Sequence, residues 1–300
     1  MNIVLIGHEG YLGRGLHLYL SRQNHKVFGW DRKENLFNIN AEYLARNNID
    51  LLINMSLALD RAGKTFQVGS PSDEVNVMGA RHLVKVLKGS EITWIQMSTR
   101  EVLGPVYKRE DVYDTAGGFR GKFLVNEDCP YNPQNSYGKS KIMAEFISET
   151  HPFSNVIRLT TCYTDYNDPV TGSWVVKLLR SIGEGKPVKL TQGGLQFRDP
   201  LHIDDLGRLM VLLREKKVCL EKIHAGGGEK NLISLLEFCK TANPQIQVET
   251  APGGDFGFAF DISRAARLTG WEPQILVREK IPVAYENIKR GVVAPAPASA

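Results

Sequence analysis

The chain of 300 residues is 42% hydrophobic and 23% charged, the balance of a folded protein with a sizeable core and not of a disordered tail. Its net charge of +4 is dispersed, and the densest basic stretch, Arg214-Glu215-Lys216-Lys217, contains an acid and no aromatic, so no nucleic-acid partner is expected. No apolar run approaches the ~20 residues of a bilayer span, no basic leader precedes the first apolar run, and Cys129, Cys162, Cys219 and Cys239 are scattered, which together predict a cytoplasmic enzyme or binding protein with reduced thiols and no membrane partner.

In chain order, Ile3-Val4-Leu5-Ile6 reads as a buried strand, followed by glycines and an amphipathic stretch from Tyr11 to Arg22. Val27-Phe28-Gly29-Trp30 is a second strand and Leu51-Leu52-Ile53 a third, with a helix from about Ser72 to Lys88 after a long connection. Ile92-Thr93-Trp94-Ile95 is a fourth strand and Asn155-Val156-Ile157 a fifth. Continuous apolar strands with helices between them imply parallel crossovers, hence an α/β fold with a doubly wound parallel sheet of Rossmann type. A first domain is expected over 1–160 and a second, smaller α/β domain over 161–290, part of it returning to the first sheet. Residues 291–300, all Ala, Pro, Val, Ser or Gly, are expected to be an extended or disordered tail.

The first strand runs into Gly7-His8-Glu9-Gly10-Tyr11-Leu12-Gly13. Glycines at this spacing allow a tight turn, close approach of backbone N–H groups to a pyrophosphate, and near contact of helix and strand. The helix opening at Tyr11 and Leu12 then turns its positive end toward the anion. Asp31, at the end of the second strand, is placed to bond the adenosine ribose hydroxyls and to repel a 2′-phosphate, which favours NAD over NADP. Arg32 argues the other way, and a turn-forming Asp is the plainer alternative. Asn38, with Ile39 beside it, is a candidate acceptor for the adenine amine. His8 and Glu9 read as solvent-facing fillers of the loop. The histidines show no H-E-x-x-H or similar spacing, so no metal is predicted.

Tyr137-Gly138-Lys139-Ser140-Lys141 opens a helix on which Tyr137 and Lys141 share a face. An ammonium beside a phenol favours the phenolate, so Tyr137 can serve as general base. Alone, Tyr-x-x-x-Lys is more often a surface pair. Here Ser98-Thr99 lies just beyond the fourth strand, at the sheet edge where a substrate crevice forms.

With Gly7, Gly10 and Gly13, Thr99, and Tyr137 with Lys141 in this order, the sequence resembles the extended short-chain dehydrogenase/reductases, the family of nucleotide-sugar epimerases and dehydratases. The resemblance extends over nearly the whole chain. It makes Asn76 an active-site-ordering residue beside the cofactor, sets Ser56 next to the nicotinamide, and has Lys141 hold the nicotinamide ribose. It makes 1–160 the NAD-binding domain and 161–290 mainly the nucleotide-sugar-binding domain, with Arg198 of Gln196-Phe197-Arg198-Asp199 on the substrate diphosphate and Thr161 in the sugar pocket. It also implies a homodimer, formed by the helices from about Ser72 to Lys88 and from Ser136 to Thr150.

Three departures bear on the reaction. Dehydratases of this family usually carry Thr-Asp-Glu after the fourth strand, whereas this chain has Thr99-Arg100-Glu101, so the acid is missing while Glu101 remains a candidate base. Ser56-Leu57 replaces a common Ala-Ala, and Thr161 stands where an Asn often contacts substrate. The leading expectation is therefore NAD-dependent epimerisation of a nucleotide-diphosphate sugar through a transient keto-sugar. A dehydratase or decarboxylase using Glu101, a keto-sugar reductase, and a non-catalytic NAD-binding sensor are the alternatives. The stretch from Pro105 to Asn126, with Gly117-Gly118, is expected to be either a mobile loop over the substrate or a plain surface insertion.

Overall fold

A computed structural model describes residues 1–31, 35–59, 63–113, 119–167, 173–254 and 256–295. Six strands form one sheet: β1 (Asn2–Ile6), β2 (Lys26–Trp30), β3 (Leu51–Asn54), β4 (Thr93–Thr99), β5 (Ser154–Leu159) and β6 (Glu221–Ala225). They lie in the order β6-β5-β4-β3-β1-β2, and every neighbouring pair is parallel. The chain moves from β1 outward to β2 and then across to β3, so the order reverses beside β1. At such a reversal the connections leave the strand ends in opposite directions, opening a crevice at the carboxyl edge.

Alternate residues of β1 serve the two faces, as a strand buried on both sides requires. Ile3 and Leu5 pack with Leu16 and Leu20 of helix α1 (Tyr11–Arg22), whereas Val4 and Ile6 pack with Leu83 and Leu87 from the stretch of helix α2 (Gly79–Val86). Helix α3 (Ser136–Ser148) lies on the same face as α2. A separate core joins helix α4 (Trp174–Gly183) to Leu190, Phe238 and Ile281 in the second half of the chain. Helix α5 (Ile203–Glu215) comes back from there to pack on α1, and β6 follows it into the sheet.

Three features differ from expectation. The helix anticipated from Ser72 begins as a π-helical turn, Asp73–Met78, before α2. Such wide turns recur where a side chain must be aimed at a site, and Asn76 sits inside this one. The described residues of 105–126 are anchored to the second half of the chain. Val112 is fully buried with Phe197 and Ala259, Phe119 and Phe123 pack on that cluster, and Leu124–Val125 pairs in parallel with Ala259–Phe260. Gly117 and Gly118 lie outside the described residues. Of the expected tail, 296–300 lie outside the described residues, and Val292 and Val293 are tethered: Asn167 N–H donates to Val292 O at 2.7 Å, and Val293 bridges Asn167. No helix among the described residues is long and apolar enough to cross a membrane.

Candidate active site

Two of the three loop glycines, Gly7 and Gly13, are held in ways that exclude a side chain. Gly7 has φ +85°, a left-handed conformation suited to glycine, and its N–H donates to Trp30 O at 2.7 Å, tying the ends of β1 and β2. A Cβ on Gly13 would stand 2.0 Å from Gly7 O and 2.8 Å from the His8 Cα, so α1 presses directly on the loop. Gly10 is the N-cap of α1, and neither a capping side chain nor a first-turn acid occupies that helix end. The positive end of α1 is thus directed at the loop with no anion from the helix itself.

Around this cradle the predicted contacts divide. Tyr11 directs its hydroxyl to the second half of the chain, accepting from Thr164 N–H at 2.9 Å, and Leu12 packs on the core. Only their backbones serve the loop. Asp31 lies beside the loop, where its Oδ2 accepts from Glu9 N–H at 2.8 Å. Asn38 is exposed at the end of a 3-10 turn, but the Ile39 side chain is fully buried in the core and its backbone is engaged, N–H donating to Leu36 O at 3.3 Å and O lying 2.9 Å from His82 Nε2. Glu9 is exposed as expected; His8 is not solvent-facing, for its side chain is only 12% exposed and rests over Gly29. Arg32 lies outside the described residues.

At the carboxyl edge of β4, Thr99 caps a short turn by accepting from Glu101 N–H at 3.3 Å. Asn135 is the N-cap of α3, taking Gly138 N–H at 2.8 Å on its Oδ1, and this cap delivers Tyr137 to the first turn of the helix. Tyr137 is 5% exposed and Lys141, one turn on, 2%. The Lys141 ammonium donates to Ser56 O at 3.3 Å and Met97 O at 3.2 Å, which holds it between the ends of β3 and β4. Burial lowers its pKa to about 8, against the opposing pull of Glu145. Ser56 is fixed in turn: its N–H and hydroxyl both donate to Asn54 Oδ1, at 3.1 and 2.6 Å.

Asn76 is buried and spends its amide on protein groups, donating to Ser140 Oγ at 2.9 Å and Ala58 O at 3.1 Å and accepting from Ala58 N–H at 3.2 Å. It therefore clamps the loop after β3 to the helix bearing Tyr137 and Lys141. Glu101 accepts from Asn135 Nδ2 at 2.8 Å, so its carboxylate braces the α3 cap.

Sequence reasoning missed the support behind this group. Glu145, one turn beyond Lys141 and fully buried, receives Arg158 through two nitrogens, the closest contact being 2.9 Å, with the Tyr131 hydroxyl at 2.6 Å and the Ser98 hydroxyl. A buried carboxylate survives only when its lone pairs are met in this way. Ser98 adjoins Thr99, so the network also fixes the end of β4. The one available signal was the Lys141-to-Glu145 helical spacing, which reads equally as a solvated pair.

In the second half, Arg198 sits on a two-residue edge strand and donates to Phe197 O at 2.7 Å, with room left by Gly257, whose Cβ would lie 2.5 Å from Nη1. Thr161 is buried, and its carbonyl accepts from Leu201 N–H at 2.9 Å. Arg100, at the position of the missing acid, reaches across to the second half and stacks 3.9 Å over the Phe258 ring. Its charge also favours the ionised form of Asp199, whose pKa burial raises to about 6.

Residues 3–226 match the model of the NAD dependent epimerase/dehydratase family. A UDP-glucuronate 4-epimerase of Thermodesulfobacterium geofontis is 29% identical over 163 residues, 51% of this chain and 49% of its own length. A dTDP-glucose 4,6-dehydratase of Neisseria meningitidis is 24% identical over 233 residues, 69% of this chain and 64% of its own. The chain thus spans about half to two-thirds of those two relatives. The fold superposes on a UDP-glucuronic acid 4-epimerase from Bacillus cereus, solved with UDP-glucuronic acid and NAD, with a TM-score of 0.78 at 21% identity, covering 97% of this chain and 99% of that one. The loop, the Tyr137–Lys141 helix and the match over residues 3–226 agree: the chain belongs to the NAD dependent epimerase/dehydratase family.

Proposed function

We propose that the chain binds NAD and epimerises a nucleotide-diphosphate sugar. The observation that carries this reading is the buried Lys141 ammonium one helical turn from Tyr137, with Thr99 at the adjoining strand end. The residues fit NAD: the Gly7–Gly13 contact leaves backbone where a pyrophosphate would lie, the end of α1 has no capping side chain, and Asp31 closes β2. Asn38, Ser56 and Lys141 would hold the remainder, with Asn76 ordering them. NAD, when bound, supplies the acceptor and then the donor of a hydride.

With NAD bound, Tyr137 as phenolate would take the proton of a sugar hydroxyl as the carbon bearing that hydroxyl gives up a hydride, leaving a keto-sugar. Lys141 favours the phenolate by its charge, and Thr99 orients the hydroxyl by hydrogen bonding. The keto-sugar turns over in the pocket, the hydride returns to its other face, and Tyr137 gives the proton back. Atoms and electrons balance with no second base. Arg198 is assigned to the substrate diphosphate, with Thr161 nearby in the pocket.

Elimination of water would instead need a base, for which Glu101 is the candidate. The bond from Asn135 to Glu101 supports a bracing role. Glu101→Gln, which preserves the shape and can still accept from Asn135, is therefore expected to keep turnover within about threefold, whereas loss of a general base costs on the order of a hundredfold or more. Steady-state kinetics on the two proteins distinguishes these results.

NAD is expected to bind at least about tenfold more tightly than NADP, because Asp31 repels a 2′-phosphate. A fluorescence titration showing the reverse order would assign the pocket to Arg32. A homodimer is proposed from the packed pair α2 and α3, where Met78 just before α2 is 41% exposed and Phe146 is 52% exposed. Sedimentation at micromolar concentration should give twice the chain mass; a monomer contradicts it. Unpaired Cys129, Cys162, Cys219 and Cys239 suit the reducing cytoplasm, which cell fractionation would check.

A further inference from the structure

Two amides stand inside the central sheet, where apolar side chains would serve the core as well. Asn54 is the last residue of β3 and Gln96 its register partner on β4, and each is 1% exposed. Leu52 and Trp94, two residues earlier on the same strands, are buried in the core beneath α2 and α3. Asn54 and Gln96 continue that face toward the helix bearing Lys141. Asn is depleted from strands, and a buried amide left unmet is costly, so the pair calls for a reason beyond packing.

Their hydrogen bonds run in one order. Ser56 N–H can only donate, so Asn54 meets it with Oδ1 at 3.1 Å and takes the Ser56 hydroxyl on the same oxygen at 2.6 Å. Asn54 Nδ2 is then left to donate to Gln96 Oε1 at 2.9 Å, and Gln96 Nε2 to donate to Met97 O at 3.1 Å. Met97 lies one residue beyond the last β3–β4 pair. Its carbonyl also accepts from the Lys141 ammonium at 3.2 Å, and Ser56 O accepts from the same ammonium at 3.3 Å. The relay thus begins and ends on the two residues whose carbonyls hold Lys141, and Nζ closes the ring. Lys141 also faces Tyr137 and Glu145 on its own helix, with Arg158 of β5 behind Glu145.

We propose that Asn54 and Gln96 are positioning residues for Lys141: by fixing the Ser56 and Met97 carbonyls in one orientation, they hold the ammonium in place for the reaction. The catalytic part rests on the proposed reading of Lys141 as the partner of Tyr137. A buried ammonium goes where its acceptors are, and both acceptors are backbone groups at the strand ends, past the ladder that would otherwise fix them. The amide relay takes over that task. A shift of about an ångström at a group that acts by its position is enough to slow a reaction, although neither amide bonds Lys141 itself.

The test compares wild type with Asn54→Leu/Gln96→Met and with Gln96→Met on the whole chain. The double change removes both amides together, so neither strand is left with an unmet side-chain donor or acceptor, and half-buried Ser56 can turn its hydroxyl to water. Its thermal midpoint should therefore stay close to that of wild type. Mobility of the Lys141 side chain is read from carbon-13 relaxation at Cε. In wild type the order parameter should match that of rigid backbone, about 0.85, and in the double variant it should fall below about 0.6. With the sugar nucleotide that wild type converts from a panel of UDP-, GDP-, CDP- and dTDP-sugars, kcat should fall about tenfold while KM stays within about twofold, because Arg198 is untouched. Gln96→Met alone keeps the Asn54–Ser56 bonds and should move order and kcat the same way by less, which carries the test if the double variant does not fold. An unchanged Lys141 order parameter in the folded variants would overturn the positioning role, whatever the turnover. Loss of order with wild-type turnover would overturn its catalytic part, and with it the reading of Lys141 as the partner of Tyr137.

Discussion

Tyr137→Phe is expected to reduce turnover by about a thousandfold or more while leaving NAD bound with near wild-type affinity, the upper part of the range for removing a general base. The change deletes one oxygen from a side chain that is almost wholly buried, and it leaves in place both the Asn135 cap and the Ser140 hydroxyl bonded to the Tyr137 carbonyl. The ring keeps its packing, so the thermal midpoint should hardly move. The proposed cofactor cradle, Gly7, Gly13 and Asp31, lies on different elements and loses nothing. Single-turnover kinetics and a cofactor titration on the same preparation separate the two effects. Turnover within tenfold of wild type would assign the base to another group, and joint loss of turnover and of NAD would make Tyr137 a structural residue.

Gly13→Ala is the complementary change: it should abolish cofactor binding and lower stability together. Its Cβ would lie 2.0 Å from Gly7 O and 2.9 Å from Gly7 C, both backbone atoms that no rotamer change can clear. The loop or the helix must shift by about an ångström, which removes the backbone N–H groups from the pyrophosphate position. Overpacking of this kind typically costs about 1–3 kcal/mol, and NAD affinity should fall by at least about a hundredfold. Gly183→Ala is the control, since its Cβ meets nothing closer than 3.6 Å. Calorimetry and titration should find that variant as stable as wild type and fully able to bind cofactor.

Much of the fold could be read from the sequence because each buried strand carries its own apolar run and each crossover helix its own period. The loop was legible for a similar reason, since Gly7 and Gly13 meet a local steric demand that only glycine satisfies. What escaped depends on partners far along the chain. No residue in Asp73–Met78 announces a π-helical turn; the turn brings Asn76 to Ala58 and Ser140, and nothing local encodes those contacts. The stretch after Pro105 reads as polar and Gly-rich, yet Val112, Phe119 and Phe123 find their cover in Phe197 and Ala259. Glu145 on a mixed-polarity helix reads as solvated until Arg158, Tyr131 and Ser98 converge on it. His8 was misjudged because the room it fills belongs to Gly29, on the next strand.

The reaction itself is decided by the mass of the product. Wild-type protein, with no cofactor added, should be incubated with a panel of UDP-, GDP-, CDP- and dTDP-sugars and the mixtures followed by mass spectrometry and NMR. Hydride return within one pocket predicts a new sugar nucleotide of unchanged mass, inverted at a single carbon and formed without external NAD, and still formed by Glu101→Gln. A product lighter by water or carbon dioxide, whose formation collapses in Glu101→Gln, would contradict epimerisation and make Glu101 the working base.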